Sequence, residues 1–149
     1  CRNIRFQRMD AQKLEFEDNT FDVVISRNLT WNLEHPDVAY REWVRVLKVG
    51  GRLLNFDANY GATNFAETSD LPENHAHNQL GNSLMQECED IKRQLPISSF
   101  LRPAWDLDYM MEIGFSKVFA LKDISDISRT SMERELNKLT PQFLVGGEK

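Results

Sequence analysis

The strongest indications of the fold lie in the stretch FDVVISRNLTWNLEHPDVAYREWVRVLKVGGRLLNFD, residues 21–57. Its opening run, 21–26, has a β-branched apolar centre, which predicts a strand buried on both faces of a parallel sheet. The pair Pro36-Asp37 is typical of the first turn of a helix, and Gly50-Gly51 is expected to end that helix. A second strand follows at 53–56. Strand, helix and strand in this order predict a crossover connection, and therefore an α/β fold with a mostly parallel sheet.

The helix predicted after Pro36 carries one apolar stripe with the spacing i, i+3, i+4 and i+7, formed by Tyr40, Trp43, Val44 and Leu47. This spacing indicates a helix face buried in the core rather than an aromatic cage. Weaker signals extend the pattern in both directions along the chain. They predict a short strand at 3–9, a helix with Ala104, Leu107 and Met111 on one face and Gly114 at its end, a strand at 115–121, a helix within 131–139 and a final strand at 143–145.

Residues 61–100 differ in character from the rest of the chain. A polar stretch at 63–78 precedes a helical stripe formed by Leu80, Leu84, Cys88, Ile91 and Leu95. We interpret 61–100 as a lid or substrate-side insertion within one domain that spans 1–149. Cys88 lies on the apolar stripe, so it is expected to be buried and unreactive.

Composition narrows the function classes. The 149 residues include 23 acidic and 18 basic side chains, and the net charge of -5 argues against binding bulk nucleic acid. The apolar runs are too short to span a membrane, and residues 1–6 lack the apolar segment of a signal peptide. Two cysteines make no disulfide framework. We therefore expect a cytoplasmic protein with a small-molecule partner and no membrane or bulk nucleic-acid partner.

Four segments together resemble the class I methyltransferases that use S-adenosylmethionine, especially the type 11 family. They are DAQKLEFEDNTFDVVIS at 10–26, EWVRVLKVGGRLL at 42–54, RPAWD at 102–106 with Gly114-Phe115, and TPQFLV at 140–145. The resemblance implies a Rossmann-like three-layer sandwich with strand order 3-2-1-4-5-7-6, in which the last strand is antiparallel. It also implies S-adenosylmethionine as the cofactor and methyl transfer to a small molecule as the activity.

Three predicted strands end in polar residues: Asp10-Ala11, Ser26-Arg27-Asn28 and Asp57-Ala58-Asn59. In open parallel sheets, ligands bind outside the carboxyl ends of the strands, so the three ends are candidates for one rim. By resemblance, the Asp10 carboxylate would accept a hydrogen bond from the adenine amino group and the Ala11 N–H would meet a ring nitrogen. Residues 26–28 would border the methionine portion.

The acceptor side is assigned from position alone. If the reaction needs a base, Asp57 is the best-placed residue, and Asn59 and Tyr60 would orient the acceptor. Other interpretations stay open, because Asp10 and Asp57 are equally suited to turn or capping roles. His75 and His77 are two residues apart and have no ligand pattern nearby, so no metal site is expected.

One departure from the family is large. The first glycine is Gly50 and no GxG occurs, whereas the family holds its cofactor with a glycine-rich turn after its first strand. The resemblance therefore implies that strands 1 and 2 are missing, and that this chain is part of a longer protein. An exposed edge on the 21–26 strand would invite dimerisation, swapping or pairing with 3–9. A non-catalytic remnant or assembly module is the alternative function, and a nicotinamide-dependent enzyme is disfavoured.

Overall fold

The computed structural model describes residues 3–64 and 81–149. Within these ranges the chain forms four strands and five α-helices, joined in part by short 3-10 turns. In chain order they are β1 (Phe21–Arg27), α1 (Pro36–Val46), β2 (Leu47–Ala58), α2 (Asn82–Gln94), α3 (Ala104–Glu112), β3 (Ser116–Leu121), α4 (Ser125–Ser128), α5 (Ser131–Leu136) and β4 (Gln142–Glu148).

The four strands form one sheet in the order β1-β2-β4-β3. β1 pairs in parallel with β2, whereas β4 is antiparallel to both β2 and β3. Three strands therefore point the same way and the last one is reversed. The α/β class and the antiparallel last strand are confirmed, and this order matches the 4-5-7-6 half of the expected methyltransferase sheet.

Helices α1 and α3 cover one face of the sheet. The predicted α1 stripe is buried as expected, with Tyr40, Trp43 and Leu47 at most 3% exposed. These side chains pack with Leu53 of β2, and Met110 of α3 joins the same cluster. The core therefore lies between this helical layer and the sheet.

The opposite face of the sheet is open among the described residues. Val23 and Ile25 are 49% and 65% exposed, and Phe119 and Leu121 of β3 are 41% and 48% exposed. The prediction that the first strand is buried on both faces is therefore wrong. The physical reason is that the helices packed on β1 and β2 lie on one side only, so the third layer of the sandwich is absent from the described part of the chain.

The predicted strand at 3–9 does not form. Residues 4–9 have no regular secondary structure, and Ile4 and Phe6 are 59% and 94% exposed. A strand needs a neighbour to bond its backbone groups, and no described strand lies beside this segment. The segment 3–9 does not move alongside β1 either, and one edge of β1 is unpaired among the described residues.

The pair Gly50-Gly51 lies inside β2 and does not end α1, which corrects the predicted boundary. The last helical carbonyls are satisfied in another way, because the N–H groups of Asn19 and Thr20 donate to Arg45 and Val46 at 3.1 and 2.8 Å. Gly50 has a φ of 78°, which favours glycine, and its N–H donates to Lys149. The pair thus forms an irregularity in the strand.

Helix α2 turns its apolar stripe outward, contrary to prediction. Leu84 and Ile91 are 46% and 55% exposed, and Cys88 is exposed rather than buried. The face that packs against the protein carries Met85 with the buried ion pair between Glu89 and Lys92. Leu80, the polar stretch at 65–78 and its two histidines lie outside the described residues.

Helix α3 also packs through a different face from the one predicted. Asp106 and Met110 are fully buried, whereas Met111 is 52% exposed. The predicted end of the helix at Gly114 is confirmed, and this residue has a φ of 101°. Asp106 is buried although it is polar, because Arg102 and Tyr40 donate hydrogen bonds to its carboxylate.

Candidate active site at the carboxyl edge of the sheet

Asp57 lies at the end of β2 and has no exposed surface. Its Oδ2 accepts hydrogen bonds from the backbone N–H of Trp31 at 3.0 Å and from Nη1 of Arg102 at 2.8 Å. Its Oδ1 accepts from the N–H of Ala58 at 3.0 Å. Burial raises the pKa of Asp57, and the neighbouring Arg102 opposes that rise. Both carboxylate oxygens are therefore occupied by groups of the protein.

Arg102 bridges two buried carboxylates. Its Nε and Nη2 donate to Asp106 at 2.9 and 2.7 Å, and its Nη1 donates to Asp57. The guanidinium is 1% exposed and lies 4.9 Å from the ring centroid of Phe143. Burial opposes the charged form, but Asp106 and Asp57 outweigh it and raise the pKa of Arg102. The arginine side chain is thus held by all three of its nitrogens.

The network continues through neutral groups on α1 and β2. The Tyr40 hydroxyl donates to Asp106 at 2.7 Å and accepts from Nδ2 of Asn55 at 2.9 Å. The same Asn55 amide donates to Thr30 at 2.8 Å. Burial, with Asp106 as a smaller cause, raises the pKa of Tyr40 well above 10.0. Because these side chains are fully buried, their hydrogen bonds replace those that water would supply.

The network fixes the loop that follows β1. Thr30 and Trp31 are held to Asn55 and Asp57, which lie on one face of β2. The sequence alone did not predict a role for Arg102 or Asp106, or this role of Tyr40. A signal was present, because the alternation Leu53, Asn55, Asp57 puts two polar residues on an otherwise buried strand face.

Ser26, Arg27 and Asn28 lie together at the end of β1, next to the end of β2. Asn28 has a φ of 51°, and its N–H donates to Phe56 at 2.8 Å. Its Oδ1 accepts from Nε2 of Gln142 at 3.0 Å. Ser26 is buried and Arg27 is exposed, with a hydrogen bond from Arg27 to the carbonyl of Ser128. The ends of β1 and β2 therefore meet as predicted, and the start of β4, which was not predicted there, joins them.

Asp10 forms a turn rather than ending a strand. Its Oδ1 accepts from the N–H of Gln12 at 2.9 Å. Ala11 is half-buried beside it, and no hydrogen bond joins this pair to the residues at the ends of β1 and β2. The side chain of Gln12 accepts from the N–H of His35 at 2.8 Å, which places the turn near the start of α1.

Two charged residues of α1 hold the segment after this turn. Glu42 accepts from the N–H of Leu14 at 2.8 Å, and Arg45 donates to the carbonyls of Leu14 and Phe16 at 2.9 and 2.7 Å. Glu42 and Arg45 also pair with each other. This geometry explains the Glu42 to Arg45 spacing within the EWVRVLKVGG motif.

Asn59 and Tyr60 follow β2. The Tyr60 ring lies 4.7 Å from the Trp31 ring, measured between centroids. Burial raises the pKa of Tyr60 above 10.0, while Arg129 opposes the rise. Asn59 and Arg102 line a cavity of about 630 Å³, which Tyr60 does not line. Of the two residues predicted on the acceptor side, Asn59 therefore lines the cavity, whereas Tyr60 packs against Trp31.

Four polar atoms near this edge are buried and have no hydrogen-bond partner among the described residues: Ser26 Oγ, Trp31 Nε1, Asn55 Oδ1 and Gln142 Oε1. They provide a hydroxyl, a donor and two acceptors. Buried groups of this kind call for a partner. In the described ranges no three histidine, cysteine or acidic side chains are grouped to hold a metal ion, and no described helix is long and apolar enough to cross a membrane.

Known proteins are similar to this chain in sequence and in fold. A methyltransferase domain family model matches residues 1–55. The ubiquinone/menaquinone biosynthesis C-methyltransferase UbiE of Pseudomonas putida is 33% identical over 118 residues, which is 78% of this chain and 46% of the relative. The Pseudomonas aeruginosa enzyme of the same name is 32% identical over the same length. The chain thus spans about half the length of the curated relatives that it matches.

Solved structures extend the fold match to nearly the whole chain. Phosphoethanolamine N-methyltransferase 2 of Haemonchus contortus, in complex with S-adenosylmethionine, superposes with a TM-score of 0.59 at 16% identity, covering 94% of this chain and 36% of that one. A methyltransferase from Archaeoglobus fulgidus that depends on S-adenosylmethionine gives 0.57 at 10% identity, covering 99% and 68%. The fold is therefore that of a class I methyltransferase. The sequence matches agree with this fold and support a class I methyltransferase that depends on S-adenosylmethionine.

Proposed function

We propose that this chain is part of an enzyme that transfers a methyl group from S-adenosylmethionine to a small molecule. The observation that carries the proposal is the joined carboxyl edge of β1 and β2, where Asn28 bonds both Phe56 and Gln142. This edge is where open α/β sheets bind ligands. The buried unpaired atoms of Ser26, Trp31 and Gln142 suit a ligand that has both donors and acceptors, as the amino acid end of the cofactor does.

The roles of the cofactor-side residues follow from the family resemblance. Asp10 would accept from the adenine amino group, the Ala11 N–H would meet the adenine ring, and Ser26, Arg27 and Asn28 would border the methionine portion. Asp10 is exposed, and its carboxylate is held only by the nearby Gln12, which supports this role. The sulfonium of the cofactor supplies an already activated methyl group, so the protein mainly binds and aligns the reactants.

Asp57 remains the predicted base, but the geometry favours a positioning role. A base must reach the proton that it removes, and Asp57 is fully buried with both oxygens bonded. Through Trp31 and Arg102 it joins the loop after β1 to the chain entering α3. We propose that Asp57 holds these two segments in register, and that Asn59 orients the acceptor from the cavity.

We also propose a partner for this chain, a role for residues 61–100 and a cellular setting. The unpaired edge of β1 and the exposed Ile25 support a homodimer formed through this strand. Residues 61–100 would cover the acceptor as a lid within a single domain. A cytoplasmic setting, without a membrane or bulk nucleic-acid partner, fits the acidic composition.

Calorimetric titration with S-adenosylmethionine and S-adenosylhomocysteine tests the proposal. We expect saturable binding of both by this chain, and weaker binding by the Asp10→Ala variant. Glu15→Ala is the matched control, since Glu15 is an exposed acid on the same segment. Absence of binding by the parent chain would favour the alternative, a non-catalytic remnant or assembly module.

A further inference from the structure

The cavity of about 630 Å³ lies on the helical side of the sheet, at the carboxyl ends of β2 and β3. Its walls are mostly apolar, and include Leu101, Ala104, Leu107, Ala120 and Phe143. Cavities of roughly 300–1,000 Å³ with such walls are typical of small-molecule sites. None of the five residues proposed for the cofactor lines it, so it is separate from the adenine and methionine ends of the site.

Two cationic side chains line the cavity, and they differ in what they offer a ligand. Arg102 forms part of the wall, but its three nitrogens already donate to Asp57 and Asp106. Lys122, directly after β3, is exposed and forms no ion pair within the described ranges. The ammonium of Lys122 is thus the charge available at this apolar cavity.

We infer that the cavity binds a small amphipathic anion, with an apolar ring or short chain between α3 and the sheet and a carboxylate or phenolate beside Lys122. Burying the apolar part removes it from water, and the anionic end gains a charge-assisted hydrogen bond. Asn59 lines the same cavity and follows β2, where the acceptor is expected. Naming this ligand as the methyl acceptor rests on the proposed function, whereas the binding site itself does not.

The probes are 2-naphthoate and its uncharged analogue 2-naphthalenemethanol, titrated into the full chain by calorimetry. We expect saturable binding of naphthoate at one site, and binding about tenfold weaker for the alcohol. Lys122→Met should weaken naphthoate to the level of the alcohol and leave the alcohol unchanged. Lys13→Met, which removes an exposed lysine elsewhere, should change neither probe.

Two further variants fill the cavity. Ala120→Leu adds bulk on β3, and Ala62→Phe adds it at an exposed wall position where folding is less at risk. Each should weaken both probes at least tenfold. Phe119→Ala is the control for binding to the open face of the sheet, and it should leave both affinities unchanged.

Failure of naphthoate to bind, or full binding by both filled variants, would overturn the inference. Equal affinity for the anion and the alcohol in the parent chain would contradict the inference that the ligand is an anion held by Lys122. A titration with S-adenosylhomocysteine on the same sample separates the two proposals. If the cofactor product fails to bind while naphthoate binds as described, the proposed function is wrong and the binding site stands.

Discussion

Nη1 of Arg102 lies 2.8 Å from Oδ2 of Asp57, and both side chains are almost completely shielded from solvent. The pair joins the penultimate residue of β2 to a residue two positions before α3, 45 positions later in the chain. A buried ion pair of this kind is costly to break, because removing one partner leaves the other charge unpaired in the interior.

We predict that Arg102→Met destabilises the chain by about 3–5 kcal/mol, since it leaves Asp57 and Asp106 without their shared cation. Urea unfolding followed by circular dichroism measures the loss. Arg93→Met is the matched control, because Arg93 is exposed and lies 3.7 Å from Asp90, and it should change stability by less than about 0.5 kcal/mol. Similar small effects for both variants would show that the buried network is not what holds the fold.

Tyr40→Phe should cost about 1 kcal/mol, because Asp106 and Asn55 each lose one hydrogen bond but keep another. Tyr109→Phe offers a comparison on α3, where the hydroxyl of a half-buried side chain donates to the carbonyl of Asp37 at 3.3 Å. We expect the Tyr109 variant to be close to the parent in urea. An equal loss in both variants would contradict a special role for the Tyr40 hydroxyl.

The Glu42 carboxylate should make stability depend on pH. The hydrogen bond from Arg45 lowers the pKa of Glu42 below its ordinary value of 4.5, with burial opposing. Glu42 thus adds stability that is fully present above 4.5 and is lost as the pH falls through its lower folded value. Urea midpoints measured from neutral pH down through this range should fall less steeply for Glu42→Gln. Parallel curves for parent and variant would contradict this link.

The open edge of β1 should promote self-association. Ile25→Lys places a charge on the exposed edge strand, and sedimentation velocity should show less dimer at the same concentration. Glu15→Lys makes a larger change in net charge, away from the edge, and should leave association unchanged. A parent chain that stays monomeric at all concentrations would rule out the dimer.

Sequence alone predicted the elements whose signals are local. The α1 stripe of Tyr40, Trp43 and Leu47 follows from periodicity, and the cap at Gly114 follows from glycine geometry. The antiparallel direction of β4 has no local signal and was predicted from the family resemblance. The face of α2 was predicted wrongly because Glu89 and Lys92 pair with each other and are buried together, which hydropathy cannot anticipate.

The sequence predicted where the candidate site lies, but it did not predict which side chains contact each other there. The ends of β1 and β2 meet as expected, because parallel strands share an edge. The bridge through Arg102 was not predicted, since it depends on a residue 45 positions from Asp57. The prediction of a strand at 3–9 was wrong for a related reason. A strand forms only beside another strand that bonds its backbone groups, and the local sequence does not show whether such a neighbour is present.

Amide chemical shifts in a titration with S-adenosylhomocysteine show whether the cofactor binds at the carboxyl edge of the sheet. We expect saturable shifts at Ala11, at residues 26–28 and at the side-chain amide of Gln142, and little change at the exposed Val23 and Phe119. An absence of saturable shifts, or shifts confined to the open face of the sheet, would contradict a cofactor site at the carboxyl edge.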